Sequence, residues 1–256
     1  MKEPQAPTAA PVVPCLEVHE GRTTEPSGIP GLTDPCDPVM ICRHYRRQGV
    51  QTIMLDILDD WDRHERFVRL IKRVADLVPT LWVAVATGFA PSLRAAGALL
   101  GAGADMIGLS TTSVENPQVM REVADRHGSE RVLGMMDVRR VGPGRWNVFI
   151  RGGTKRTGLD AITWADILVE LGAGLLLPNS LDGEEGGEGY DIDLYQAIAD
   201  TVQTPLIVGG GASTPEHLYD GLRQPHVLFA AVAKATHSGA MSITQAHDYL
   251  HERGLV

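Results

Sequence analysis

The sequence predicts an α/β protein folded as a single (β/α)8 barrel, and three observations carry that prediction. Short β-type runs alternate with helical stretches from end to end. The β runs are apolar on both sides of the chain, as in "VVPCLEV" from Val12, which marks strands of a parallel sheet covered on both faces. The second half of the chain also repeats the first.

In chain order, strands are expected near 12–17, 52–57, 81–86, 106–110, 132–137, 174–179, 205–209 and 227–232. Helices are expected between and after them, near 37–49, 62–77, 91–101, 117–127, 160–171, 191–201, 214–222 and 242–253. In "NPQVMREVADRHG", Asn116 is the expected cap, Pro117 opens the first turn and Gly128 ends the helix. "STPEHLYDGL" starts a helix on Ser213 or Thr214, followed by Pro215 and Glu216. Eight strand–helix units in 256 residues fit a closed barrel better than a doubly wound open sheet, the alternative that the same alternation allows. "GRWNVFIRGG" reads as a small hairpin after strand 5 that partly covers the rim.

Bulk properties narrow the function. With 43% hydrophobic and 21% charged residues the chain has the composition of a soluble globular protein, and no apolar run reaches the ~20 residues of a membrane helix. No basic start followed by an apolar core marks an export signal, so the location is read as cytoplasmic. Residues 1–11, "MKEPQAPTAAP", are expected to form a disordered tail ahead of a barrel over 12–256. A net charge of −9 without a basic block argues against nucleic acid as a partner. It leaves room for a small phosphorylated ligand, which glycine loops and helix N-termini hold without net positive charge. Cys15, Cys36 and Cys42 are odd in number and lack paired-metal spacing, so they are read as reduced thiols. His247 and His251, at i and i+4 on the last helix, have no third ligand and are read as exposed polar residues. No metal or other cofactor is expected.

The repeat brings two acids together. "VATGFAPSLRAAGALLGAGADMIGLSTT" from Val85 matches "VGGGASTPEHLYDGLRQPHVLFAAVAKA" from Val208, 123 residues later, while "CLEV" and "MMDV" lie 120 apart. Two duplicated half-barrels then place Glu17 and Asp137 at matching ends of strands 1 and 5. They would face each other across the C-terminal rim, where such barrels carry their active sites. The competing reading of Glu17 is that it only holds a rim loop through backbone hydrogen bonds.

At these residues the chain resembles the cyclase subunit of imidazole glycerol phosphate synthase, of the histidine-biosynthesis barrels. The resemblance runs from about Val12 to the C-terminus through "PCLEV", "EGR", "DP" at Asp37, "LDI" at Asp56, "GAGAD", "TTSVENP", "MMDVRR", "GGTKRTGLDAITWA", "ELGAG", "GYD", "GGGASTPEH" and "YLHERG". It implies an enzyme that closes an imidazole ring on an open-chain ribulosyl substrate with two phosphates, using ammonia delivered through the barrel by a glutaminase. It further implies two aspartates at the ends of strands 1 and 5 as general acid and base; these fall on Glu17 and Asp137. Gly88, Ser110 and Thr111 are the implied phosphate contacts of one half. Gly209, Gly210 and Gly211 are those of the other, and Asn179 and Ser180 line the pocket at the end of strand 6.

The departures from that pattern are specific. Glu17 stands where the family has aspartate, moving the charge outward by a methylene, more than ~1 Å, a displacement that can cost on the order of 100-fold in rate. Glu25 falls where the family has a lysine, turning attraction for an anion into repulsion. The first glycine trio becomes Ala86–Thr87–Gly88, Ser110 replaces an asparagine, Glu184–Glu185 replace Asp-Gly, and Val232 replaces a serine. A ring of four charged residues at the family's ammonia entrance aligns with Pro11, Gln51, Met106 and Leu175, none of them charged. Arg139, Arg140, Arg151, Lys155 and Arg156 near the hairpin offer a new anion contact or a solvated basic loop.

Three readings follow. The favoured one is a diverged cyclase-like lyase, performing acid–base cyclisation or ring rearrangement of a phosphorylated sugar- or nucleotide-derived substrate in specialised, nucleoside-like metabolism, without a glutaminase. The second is the ordinary histidine-pathway cyclase subunit. The third is a non-catalytic barrel that binds a phosphometabolite or a protein, which the presence of Asp137 disfavours.

Overall fold

A computed structural model describes residues 11–86 and 88–256. The expected tail therefore lies outside the described residues except for Pro11, whose carbonyl accepts from the N–H of Ala230 at 2.8 Å.

Eight parallel strands form the barrel: β1 (Val12–His19), β2 (Thr52–Ile57), β3 (Thr80–Val85), β4 (Met106–Leu109), β5 (Val132–Gly142), β6 (Leu175–Ser180), β7 (Leu206–Val208) and β8 (Val227–Val232). Each pairs with its neighbours in sequence, β1 pairs with β8, and the β4–β5 pairing completes the closure. Helices alternate with the strands: α1 (Pro38–Arg47), α2 (His64–Ala75), α3 (Leu93–Gly101), α4 (Pro117–His127), α5 (Ala161–Glu170), α6 (Ile192–Ala199), α7 (Pro215–Leu222) and α8 (Ile243–Glu252). The (β/α)8 barrel expected from the alternation is the observed fold, and the open sheet is excluded.

Strand alternation divides the apolar side chains into two cores. Inside the barrel, Val13 and Cys15, Met54, Trp82 and Ala84, Met106, Leu133 and Met135, Leu175 and Leu177, Ile207, Phe229 and Ala231 pack together. Trp82 and Phe229 meet edge to face at 5.2 Å and 89°. The intervening residues, such as Leu16, Ile53, Leu55, Val83, Ile107 and Leu176, point outward and pack under the helices. That division explains why the strands read as continuous apolar runs.

Most helix starts follow cap chemistry; α2, preceded by Arg63, and α4 do not. Thr214, not Ser213, caps α7 by accepting from the N–H of His217, and Ser242 with Gln245 forms a capping box on α8. The side chain of Asn116 makes no capping hydrogen bond. Asn116 instead terminates a short preceding helix, Thr111–Glu115, with its N–H donating to Thr112 O at 2.8 Å.

The hairpin after strand 5 is larger than its sequence signal. β5 runs past the barrel to Gly142 and pairs antiparallel with Arg145–Ile150, which pairs in turn with Lys155–Asp160. Asp191 pins this extension to the barrel. Its Oδ2 accepts from Trp146 Nε1 at 2.7 Å, and Oδ1 accepts from Arg140 and from the N–H of Leu194, capping α6. Asp191→Ala removes the cap and leaves a buried indole N–H unpaired, a loss of about 2–4 kcal/mol. The expected result is a Tm lower by roughly 4–12 °C, measured by thermal unfolding; an unchanged Tm would show that the hairpin is not held through this residue.

Candidate active site

The same alternation that builds the apolar interior builds the site above it. The inward step from Val13 and Cys15 arrives next at Glu17; from Met54 it arrives at Asp56, from Met135 at Asp137 and from Leu177 at Asn179. Strand register sets Glu17 beside Asp56 and Asp137 beside Asn179. The two pairs are related by the internal repeat, since 120 residues separate Glu17 from Asp137 and 123 separate Asp56 from Asn179. One half thus sets acid beside acid, and the other sets acid beside amide.

This difference decides the electrostatics. Asn179 Nδ2 donates to Asp137 Oδ1 and to Glu184 Oε2, each at 3.2 Å. Asp56 has no such donor, and its Oδ1 is buried without a partner among the described residues. Burial over the apolar interior, followed by the charges of Asp137, Glu17 and Glu184, pushes the Asp56 carboxyl up to about 7. Burial pushes Asp137 up to about 6; the Asn179 hydrogen bond restrains the rise and Glu184 adds to it. Below them, burial and the charges of Asp56 and Glu184 push the Cys15 thiol up to about 12. Its Sγ donates to Val13 O at 3.6 Å, so Cys15 is a neutral thiol and not a nucleophile.

Glu17 is tied to the first rim loop. Its backbone carbonyl accepts from the N–H of Thr24, and its Oε2 accepts from the Thr24 hydroxyl at 3.2 Å. The longer arm thus reaches the first rim loop while its charge still acts on Asp56. Asp56 is the site residue that sequence reading passed over. It stood in the quoted "LDI", and the signal that would have found it is the 123-residue offset to Asn179.

The structure brings together the phosphate candidates of the first half. The carbonyl of Gly88 accepts from the N–H groups of Ser110 and Thr112 at 3.1 and 3.2 Å. A Cβ on Gly88 would sit 2.3 Å from Ser110 N, so only glycine allows this approach. The hydroxyl of Ser110 is buried without a partner among the described residues, and Thr111 Oγ1 accepts from the N–H of Arg151 at 3.0 Å. In the second half, Gly210 and Gly211 have φ of 83° and 112° and lie against the carbonyls of Ser180 and Gly189. Gly209 donates its N–H to the Tyr195 hydroxyl at 2.7 Å. Ser180 is buried, and its hydroxyl accepts from Gly183 N, capping the short helix Leu181–Gly186.

The adjacent glutamates separate. Glu184 turns to Asn179, whereas Glu185 forms a bidentate pair with Arg139, which holds its carboxyl below the usual range. Arg139 also reaches Asp182, Arg140 pairs with Asp191 and Asp193, Arg151 with Glu115, and Arg156 with Asn147. Arg139, Arg140 and Arg151 are therefore engaged with neighbouring loops, while Arg156 is bonded within the hairpin extension. The exposed Glu25 offers its carbonyl to His237 Nε2 at 2.9 Å, while Ser27 Oγ and Gly28 N donate to His237 O. These bonds stitch the first rim loop to the chain after β8. At the other end of the barrel, Met106 and Leu175 belong to the apolar interior, and Gln51 is tied to Gly49 O.

A parallel barrel with Glu17, Asp56, Asp137 and Glu184 gathered over an apolar floor at its C-terminal mouth is the architecture of a (β/α)8 enzyme with acid–base chemistry within reach. Residues 11–242 match the family model described as "Histidine biosynthesis protein", and the chain belongs to that family. No helix among the described residues is long and apolar enough to cross a membrane, and no group of three or more His, Cys, Asp or Glu there is arranged to hold a metal ion.

The raised carboxyls have a consequence for stability. The folded protein keeps protons on Asp56 and Asp137 that an unfolded chain, with carboxyls near 3.8, releases. These groups therefore weaken the fold as pH rises from about 4 to about 7. Asp56→Asn, which mimics the neutral acid, is expected to widen its advantage over wild type between pH 5 and pH 8 by roughly 1 kcal/mol or more. Thermal unfolding at both pH values checks this; a difference that does not widen would mean that Asp56 is not held protonated by the fold.

Proposed function

We propose that the protein catalyses an acid–base ring closure or ring rearrangement on a phosphorylated, sugar- or nucleotide-derived substrate. In this reading it is a diverged relative of the imidazole glycerol phosphate synthase cyclase, working in specialised, nucleoside-like metabolism without a glutaminase. The observation that carries the proposal is the gathering of Glu17, Asp56, Asp137 and Asn179 on adjacent inward positions over an apolar floor, where burial raises the carboxyls of Asp56 and Asp137. Asp137, held by the Asn179 amide, accepts a proton from the substrate. Asp56, whose burial without a donor favours the protonated form, supplies one to a departing oxygen or nitrogen, with Glu17 as the third proton carrier. Asn179 keeps Asp137 oriented and ionisable.

The absence of a glutaminase is supported by the closed character of the barrel interior. Trp82 and Phe229 pack across it, and the four positions that would carry charge at an ammonia entrance are Pro11, Gln51, Met106 and Leu175. The phosphate reading rests on Gly88, Ser110 and Thr111 in the first half and on the Gly209–Gly211 turn in the second.

The test is turnover of the family's ribulosyl substrate with ammonium salt, followed by mass spectrometry for imidazole glycerol phosphate. The proposal expects no such product, but product from related phosphorylated substrates, reduced at least ~100-fold by Asp137→Asn. Imidazole glycerol phosphate that disappears with Asp137→Asn would instead establish the ordinary cyclase. Turnover of other substrates that survives Asp137→Asn would remove Asp137 from the mechanism.

A further inference from the structure

We propose that Arg151 is an anion-binding arm, parked on Glu115 in the free protein, that turns over the first-half cavity to hold a phosphate monoester of the substrate. This rests on the reading of that half as a phosphate site and adds to it a side chain from the hairpin.

The geometry supplies each part. A cavity of about 360 Å³ opens at the mouth, walled by Leu58, Asp60, Ala86, Phe89, Thr111 and Glu115, with Arg151 on its edge. Arg151 is anchored by its backbone, with its N–H on Thr111 Oγ1 and φ at 54°, a conformation that aims the turn after the hairpin at the loop following β4. Its side chain is not anchored in the same way. It is 61% exposed and, among the described residues, held by Glu115 alone, through Nε and Nη2 at 3.0 and 2.9 Å. The guanidinium lies largely in solvent, where ion pairing is screened, so a phosphate dianion competes with a single carboxylate for it. Glu115 does not lose all cationic company when Arg151 leaves, because Lys155 Nζ lies 3.9 Å away. Immediately before Thr111, the buried hydroxyl of Ser110 has no partner among the described residues.

A guanidinium suits this task. Its planar fork matches two phosphate oxygens, and it remains charged at any working pH. The first turn, in which Ala86 stands in place of a glycine, gains a charged contact from outside itself. Selection between phosphorylated and unphosphorylated ligands then lies with a residue on the hairpin.

Calorimetric titration with ribose 5-phosphate, with ribose as control, tests the assignment on full-length protein. Wild type is expected to bind the phosphate and not the free sugar. Arg151→Ala is expected to weaken binding about tenfold or more, and Arg151→Lys, which keeps the charge without the fork, by less. Glu115→Gln removes the parking partner and is expected to tighten binding by up to about threefold. Thermal unfolding confirms that each variant is folded; both Arg151 substitutions leave its backbone bond to Thr111 available. Unchanged affinity in Arg151→Ala would overturn the arm while leaving the phosphate site standing. Failure of wild type to bind any phosphate ester would overturn both.

Discussion

The candidate site depends on burial of carboxyl groups above an apolar floor. Strand alternation allows no gradual transition inside a small barrel: the residue two positions beyond a packed methionine, cysteine or leucine is the next inward side chain. At the mouth those next residues are Glu17, Asp56, Asp137 and Asn179. Water reaches them from one side only, and the protein offers few donors. Proton affinity therefore rises where a donor is missing, at Asp56, and rises less where Asn179 supplies one, at Asp137.

The rim is organised around the same imbalance. Acids that are not satisfied within the barrel remain at its centre, and several of those on the loops, Glu115, Asp182, Glu185, Asp191 and Asp193, are met by a hairpin cation. Arg139 draws Glu185 away from Glu184, and Arg140 holds Asp191 and Asp193. Sorting charge this way leaves the inner acids without a cation while the hairpin cations are spent on the loops. The first rim loop, bonded to His237, closes the other side of the mouth.

Much of the fold was legible because period and punctuation agreed. Apolar runs such as Val132 to Met136, bounded by Gly128 and by helices with caps, left little choice of element. Glu17 and Asp137 were legible because the repeat aligned them. Asp56 was not, since an acid inside "LDI" acquires meaning only when register sets it beside Glu17 and offset sets it opposite Asn179. The pairing of Arg139 with Glu185 and of Arg151 with Glu115 joins residues 46 and 36 positions apart on different loops, and no local pattern encodes such partners. The failure of Asn116 to cap has a similar origin, because its backbone closes one helix as the next begins.

The duplicated mouth also bears on the direction in which a ligand enters. Two half-barrels related by a half-turn would offer a pseudo-symmetric molecule two equivalent poses, with its ends exchanged. An amide at position 179 in one half and an acid at position 56 in the other make those poses unequal. In one half the amide hydrogens of Asn179 are committed to Asp137 and Glu184, whereas in the other half Asp56 has no such partner among the described residues. Divergence at such a pair of positions would give a bound molecule a defined head and tail without altering the scaffold that both halves share.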